Sequence, residues 1–245
     1  LASVLAGGEP RAAADPAGLA TQLRAAIAAV RDPASPPKTV DAAGKLEQAA
    51  VRALGERPRW DTAVFRVLPR KYHDEVEHAV AAHREFASLD GDPPRTLPAW
   101  RIIRPQPAAE LRAIYGAAQA RFGVPWQVLA AVHLVESGSG RIVGLSTAGA
   151  QGPMQFVPET WQTYGMGGDV WNTTDAIMGA ANYLASSGAN RGDVDGALYH
   201  YNNDTRYVRG VQHYAAMMAA DQHAFAGLHA WRIYYRTPRG DVVLP

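Results

Sequence analysis

The run Trp126-Gln-Val-Leu-Ala-Ala-Val-His-Leu-Val-Glu136 is apolar on almost every face when wound as a helix, and its only charge is its last residue. A helix apolar nearly all round is a buried one, so the chain must build a core around this segment. Ser137-Gly138 then stops the helix. A carboxyl at that position is desolvated, and the negative end of the helix dipole disfavours its ionisation further. Both effects raise its pKa. A group that holds a proton near neutrality and can give it away meets the requirement for a general acid.

With 245 residues the chain has room for one large core or two modest domains. Its net charge of +1, with Lys and Arg spread along the sequence, gives no electrostatic case for nucleic acid or an acidic membrane surface. No uninterrupted apolar run approaches the length needed to span a bilayer. The absence of cysteine excludes disulfides, thiolate catalysis and Cys-based zinc sites. The sequence starts at Leu1 rather than Met, so we expect a trimmed or processed product, and the absence of a targeting segment says nothing about export.

The first hundred residues read as helices separated by proline-rich breaks. Leu19, Leu23, Ile27 and Val30 form one apolar stripe behind Asp15-Pro16, a helix cap and first helical position. Further helices are expected from about Val40 to Leu54, after Trp60, and along a face carrying Tyr72, Val76, Val80 and His83. Asp92 to Pro98 is the best boundary, because its prolines and polar residues break both kinds of periodicity. Beyond it, helices are expected at Ala108 to Phe122, Trp126 to Ser137, Pro158 to Tyr164, Asp175 to Ser187 (capped by Thr174), Val194 to Asn202 and Thr205 to Met218. Residues 138–152 read as a glycine-rich loop. The tail Trp231 to Leu244 has the aromatic and β-branched content of a hairpin around Pro238-Arg-Gly240. The expected architecture is therefore mainly α with a small β element. Its parts are a helical region at 1–98, a catalytic domain at 99–228 and a hairpin tail at 229–245.

Three short motifs follow one another in the second region: Glu136-Ser137, then Ser146-Thr-Ala-Gly-Ala-Gln-Gly-Pro-Met-Gln155, then Tyr201-Asn202. Each places polar groups at the end of an element, where they can point into a cleft. In this order and spacing they resemble the catalytic signature of the soluble lytic transglycosylases, whose domain is similar to goose-type lysozyme. The resemblance covers roughly Ala99 to Met218. It implies a lysozyme-like helical domain acting on peptidoglycan glycan strands outside the cytoplasmic membrane, with no cofactor. It also implies that Glu136 is the sole acid/base, that Ser137, Ser146, Gln155 and Tyr201 line the cleft, that Met154 packs beneath it, and that Asn202 supports the Tyr201 turn. Pro153, where leucine is common, and His200, where alanine is common, depart from the usual pattern.

Each residue also has a plainer reading. A Glu at a helix end is more often a surface group or the partner of an arginine, and Arg141 is close enough in sequence to serve. Ser137 suits a helix-terminal hydrogen bonder, Gln155 a group satisfying loop carbonyls, and Met154 core packing. Asp169 reads as a helix-start or loop residue rather than a second catalytic acid. His73, His78 and His83 recur every five residues, which does not stack them on one helix face, so no metal is expected. The competing functions are a hydrolytic muramidase and a cell-wall glycan-binding protein that lacks the reaction.

Overall fold

The computed structural model describes residues 8–89, 91, 96 and 98–244. Most of the boundary segment Asp92 to Pro98 lies outside the described residues, as does the N-terminal Leu1. The chain forms two compact units. One comprises residues up to Ser88 together with Ala216–Trp231; the other comprises Leu89–Ala215 and the residues from Arg232 onward.

The first unit begins with α1 (Pro16–Arg31) and α2 (Pro37–Gly55), followed by α3 (Asp61–Val67) and α4 (His73–Leu89). Asp15 caps α1, its side chain accepting from the Gly18 amide, and Pro16 takes the first helical position. Leu19, Leu23, Ile27 and Val30 are buried, as their spacing requires; α1 packs on α2, whose Leu46, Ala50 and Leu54 are buried too. Within the core lie two acids, Glu47 of α2 and Glu75 of α4, both almost fully buried. Arg31 pairs with Glu75, and its Nε lies 3.0 Å from Asp221 Oδ2.

The second unit opens with β1 (Arg101–Ile102), α5 (Ala108–Phe122), α6 (Trp126–Ser137) and β2 (Ile142–Val143). β1 and β2 pair antiparallel, with Arg101 opposite Val143. The segment expected to be a plain loop therefore contains a strand, too short to leave a period in the sequence. Then come α7 (Pro158–Tyr164), α8 (Thr173–Ser186), α9 (Val194–Tyr201) and α10 (Thr205–Ala220), whose residues 205–215 belong to this unit and 216–220 to the first. The cap of α8 is Asn172 rather than Thr174: its Oδ1 accepts from the amides of Thr174 (2.9 Å) and Asp175 (3.1 Å). The core of this unit holds Leu111, Tyr115, Leu129, Val132, Met154, Ile177, Leu184 and Leu198, all essentially inaccessible.

Three further elements follow. α11 (Ala224–His229), too short to announce itself by periodicity, belongs to the first unit and packs on α2 and α1. β3 (Ile233–Thr237) and β4 (Gly240–Leu244) form the expected hairpin, with Tyr235 opposite Val242. The architecture is mainly α with a short C-terminal β-hairpin. Among the described residues no helix is long and apolar enough to cross a membrane.

Candidate active site

The site is built on the C-terminal end of α6. Seven residues of that helix from Trp126 to His133 are buried, as its composition demands. The helix closes on Gly138 with φ of 63°, where the Gly138 amide donates to Leu134 O (2.9 Å) and the Ser139 amide to His133 O (3.0 Å). This paired closure needs a left-handed residue, which glycine supplies without a steric penalty. It fixes the direction in which the chain leaves Glu136.

Glu136 is half-buried, and the Tyr207 hydroxyl of α10 donates to its Oε1 at 2.6 Å. Burial pushes the Glu136 carboxyl up to about 7, against the lowering effect of that hydrogen bond. Burial and the neighbouring Glu136 charge hold the phenols of Tyr207 and Tyr201 protonated far into the alkaline range.

The motif residues fall into three groups. Ser137 is fully buried; its hydroxyl donates to Pro153 O (2.6 Å) and accepts from the Gly140 amide (3.0 Å). Through these bonds it ties the helix end to the loop preceding Met154. Met154 is fully buried, and its carbonyl accepts the Tyr201 hydroxyl at 2.6 Å. Gln155 is half-buried in a left-handed conformation (φ of 50°), with its side-chain amide donating to Gly152 O at 2.8 Å. A non-glycine residue held at positive φ stores strain, and strained residues cluster at functional sites.

Ser146 and Asn202 are held by their own turns. The Ser146 hydroxyl accepts from the amides of Ala148 (3.2 Å) and Ala150 (3.0 Å). Asn202 is the exposed closing residue of α9, and its carbonyl accepts the Asp204 amide at 2.7 Å. The Tyr201 ring packs on Phe156 (6.0 Å between centroids) and Tyr183 (5.6 Å), and Tyr183 donates to His200 O at 2.7 Å. The structure thus joins Glu136-Ser137 to the Pro153-Met154-Gln155 loop through Ser137, and that loop to α9 through Tyr201.

Tyr207, the direct partner of Glu136, belongs to none of the three sequence motifs. It lies with Val211, Tyr214 and Met218 on the apolar stripe of α10, and all four are buried. A phenol on such a stripe must find a buried acceptor, and that need is the one signal of it in the sequence. Asp204 starts this helix, its Oδ1 accepting from the Arg206 amide at 2.7 Å, and the Arg206 side chain holds its carboxyl down to about 2.

Asp169 and Asp175 are engaged in loop construction. Asp175 Oδ2 accepts from the Asp169 amide, and Asp169 Oδ1 accepts from the Trp171 amide, each at 2.9 Å. Among the described residues no group of three or more His, Asp or Glu could hold a metal ion.

Comparison with known proteins bears on the same segment. Residues 114–223 match the Transglycosylase SLT domain. This SLT segment holds all the motif residues and Tyr207. The chain is also similar to a membrane-bound lytic murein transglycosylase F of Thiobacillus denitrificans, at 37% identity over 82 residues. That likeness covers 34% of this chain and 17% of the relative's length. No solved structure matches the chain.

Proposed function

We propose that this protein is a lytic transglycosylase acting on peptidoglycan outside the cytoplasmic membrane, with Glu136 as its single acid/base. The observation carrying this reading is the Glu136 carboxyl at the end of a buried helix, held by the Tyr207 hydroxyl at 2.6 Å and lying inside the segment that matches the SLT domain; burial pushes its pKa up to about 7. A carboxyl raised toward neutrality can both give and take a proton, so the acid and the base form are accessible in one cycle.

In the proposed reaction, Glu136 protonates the glycosidic oxygen as the bond between C1 of N-acetylmuramic acid and O4 of N-acetylglucosamine breaks. Tyr207 donates to Oε1, which leaves Oε2 to carry the acidic proton. The 2-acetamido group of the muramic residue stabilises the charge developing at C1, the recognised alternative to a second carboxylate. The Glu136 carboxylate then takes the proton of the same sugar's C6 hydroxyl, whose oxygen attacks C1 and closes a 1,6-anhydro ring. Water is not consumed, and the intramolecular nucleophile has a large entropic advantage. The use of Asp169 and Asp175 in turns supports a mechanism with one carboxylate. Ser146, Gln155, Tyr201 and Asn202 are the proposed sugar-facing groups, with Ser137 and Met154 holding the loop beneath them.

The test is digestion of purified sacculi by wild type and Glu136→Gln, with mass spectrometry of the products. We expect 1,6-anhydromuramic ends from wild type and none from the variant. Reducing muramic ends would make the protein a muramidase. Binding to sacculi without turnover in either protein would make it a glycan binder.

A further inference from the structure

Two stretches outside the SLT segment converge on the loop that leaves Glu136. On one side is Trp100, just before β1. Its indole Nε1 donates to Leu145 O at 3.1 Å, and a Cβ placed on Gly144 would lie 2.7 Å from its Cδ1. On the other side is the C-terminal hairpin. Ile233 Cδ1 occupies the space a side chain at Gly138 would need, two residues beyond Glu136. The two stretches also meet each other: Tyr235 packs edge-on against Trp100, with centroids 5.7 Å apart and rings at 89°, and its hydroxyl donates to Thr96 O at 3.3 Å. The β1–β2 pair closes the arrangement, the Ile103 amide donating to Arg141 O at 2.9 Å.

Side chains alternate along a strand, so Ile233 and Tyr235 share one face of β3 while Tyr234 and Arg236 share the other. The face bearing Ile233 and Tyr235 is the one turned to the site loop. A hairpin alone is marginally stable in water and needs a surface to pack on. This one packs where the catalytic carboxyl is oriented.

We propose that the C-terminal hairpin and Trp100 form a clamp that positions Glu136, with Ile233 and Trp100 as positioning residues acting through Gly138 and the Gly144-Leu145 turn. The clamp holds the left-handed exit of α6 from both sides, so the carboxyl keeps one direction relative to the cleft. The inference rests on the acid/base assignment of Glu136.

The experiment measures turnover of sacculi by the full chain carrying Ile233→Ala, Trp100→Phe, Ile233→Leu or Arg236→Ala. Misplacement of a reacting group by about 1 Å can cost roughly 100-fold. We therefore expect kcat to fall about 10- to 100-fold in Ile233→Ala and Trp100→Phe, with KM changed less than about twofold. The alkaline limb of the pH–rate profile should move to lower pH as water reaches the helix end. Ile233→Leu, which keeps a methyl at that reach, restores kcat. Arg236→Ala, on the other face of the strand, leaves it unchanged.

Wild-type kcat and pH profile in both clamp variants overturn the proposal. So does a loss of kcat that only tracks the folded fraction measured by circular dichroism. If Ile233→Ala does not fold, Trp100→Phe, which keeps an aromatic ring against Tyr235, decides between the two outcomes. An inactive Glu136→Gln beside fully active clamp variants removes the clamp alone, whereas an active Glu136→Gln removes the acid/base assignment itself.

Discussion

Burial raises the working range of the Glu136 carboxyl, and a single hydroxyl trims it. The Tyr207 hydrogen bond lowers a pKa that burial raises, so its removal leaves burial unopposed. Tyr207→Phe should therefore shift the alkaline limb of activity to higher pH, the opposite direction to the clamp variants, and lower kcat about 10-fold, in line with loss of about 1–2 kcal/mol of orientation. A pH–rate profile on sacculi checks both. The charge on Glu136 and its surroundings were legible in the sequence, because an apolar helix with one acid at its end has few other places to go. Its partner was less legible, because the two lie 71 positions apart and only the need of a buried phenol for an acceptor linked them. Ser137 and Gln155 show the converse. Their motif membership was plain and so was the chance of local hydrogen bonding, but the acceptors they meet, Pro153 O and Gly152 O, are a matter of loop geometry.

At the scale of elements, helix boundaries followed local chemistry. Ala108–Phe122, Trp126–Ser137 and Pro158–Tyr164 were readable to the residue, since a proline opens or immediately precedes each and a glycine follows each. α8 starts two residues before the position the sequence suggests, because Asn172, Thr173 and Thr174 are all competent caps and only geometry selects the one whose oxygen reaches two amides. Asn172→Ala should cost about 1 kcal/mol and lower the thermal midpoint of the second unit by a few degrees, as calorimetry would record. Gly138→Ala is the harsher change, since φ of 63° and the Ile233 methyl both oppose a side chain. We expect a loss of at least about 1–2 kcal/mol, with activity falling further than stability. The strands β1 and β2 carried no readable signal; two residues each cannot display a period.

The whole molecule carries a pH dependence of its own. In the first unit, burial raises Glu75 to about 7 and Glu47 well above its ordinary range, and the charge of each acid's neighbours adds to this while Arg31 opposes it. Both acids bind a proton more tightly folded than unfolded. Their contribution to stability is thus complete below the ordinary carboxyl range and is lost as pH rises through about 7 and beyond. The melting temperature of this unit should fall between about pH 5 and about pH 8, and Glu47→Gln should flatten that fall without weakening the protein in acid. Scanning calorimetry at several pH values separates this from the same-signed effect of Glu136 in the other unit.

The return of α11 to the first unit has a temporal consequence. Gly227 lies against Val30 and Glu47, and Phe225 and Leu228 complete a core begun far earlier in the chain. A polypeptide emerging from the ribosome makes α1 and α2 long before the helix that seals them. The nascent first unit must wait, with greasy flanks open, while the whole of the other unit's helices are threaded out between.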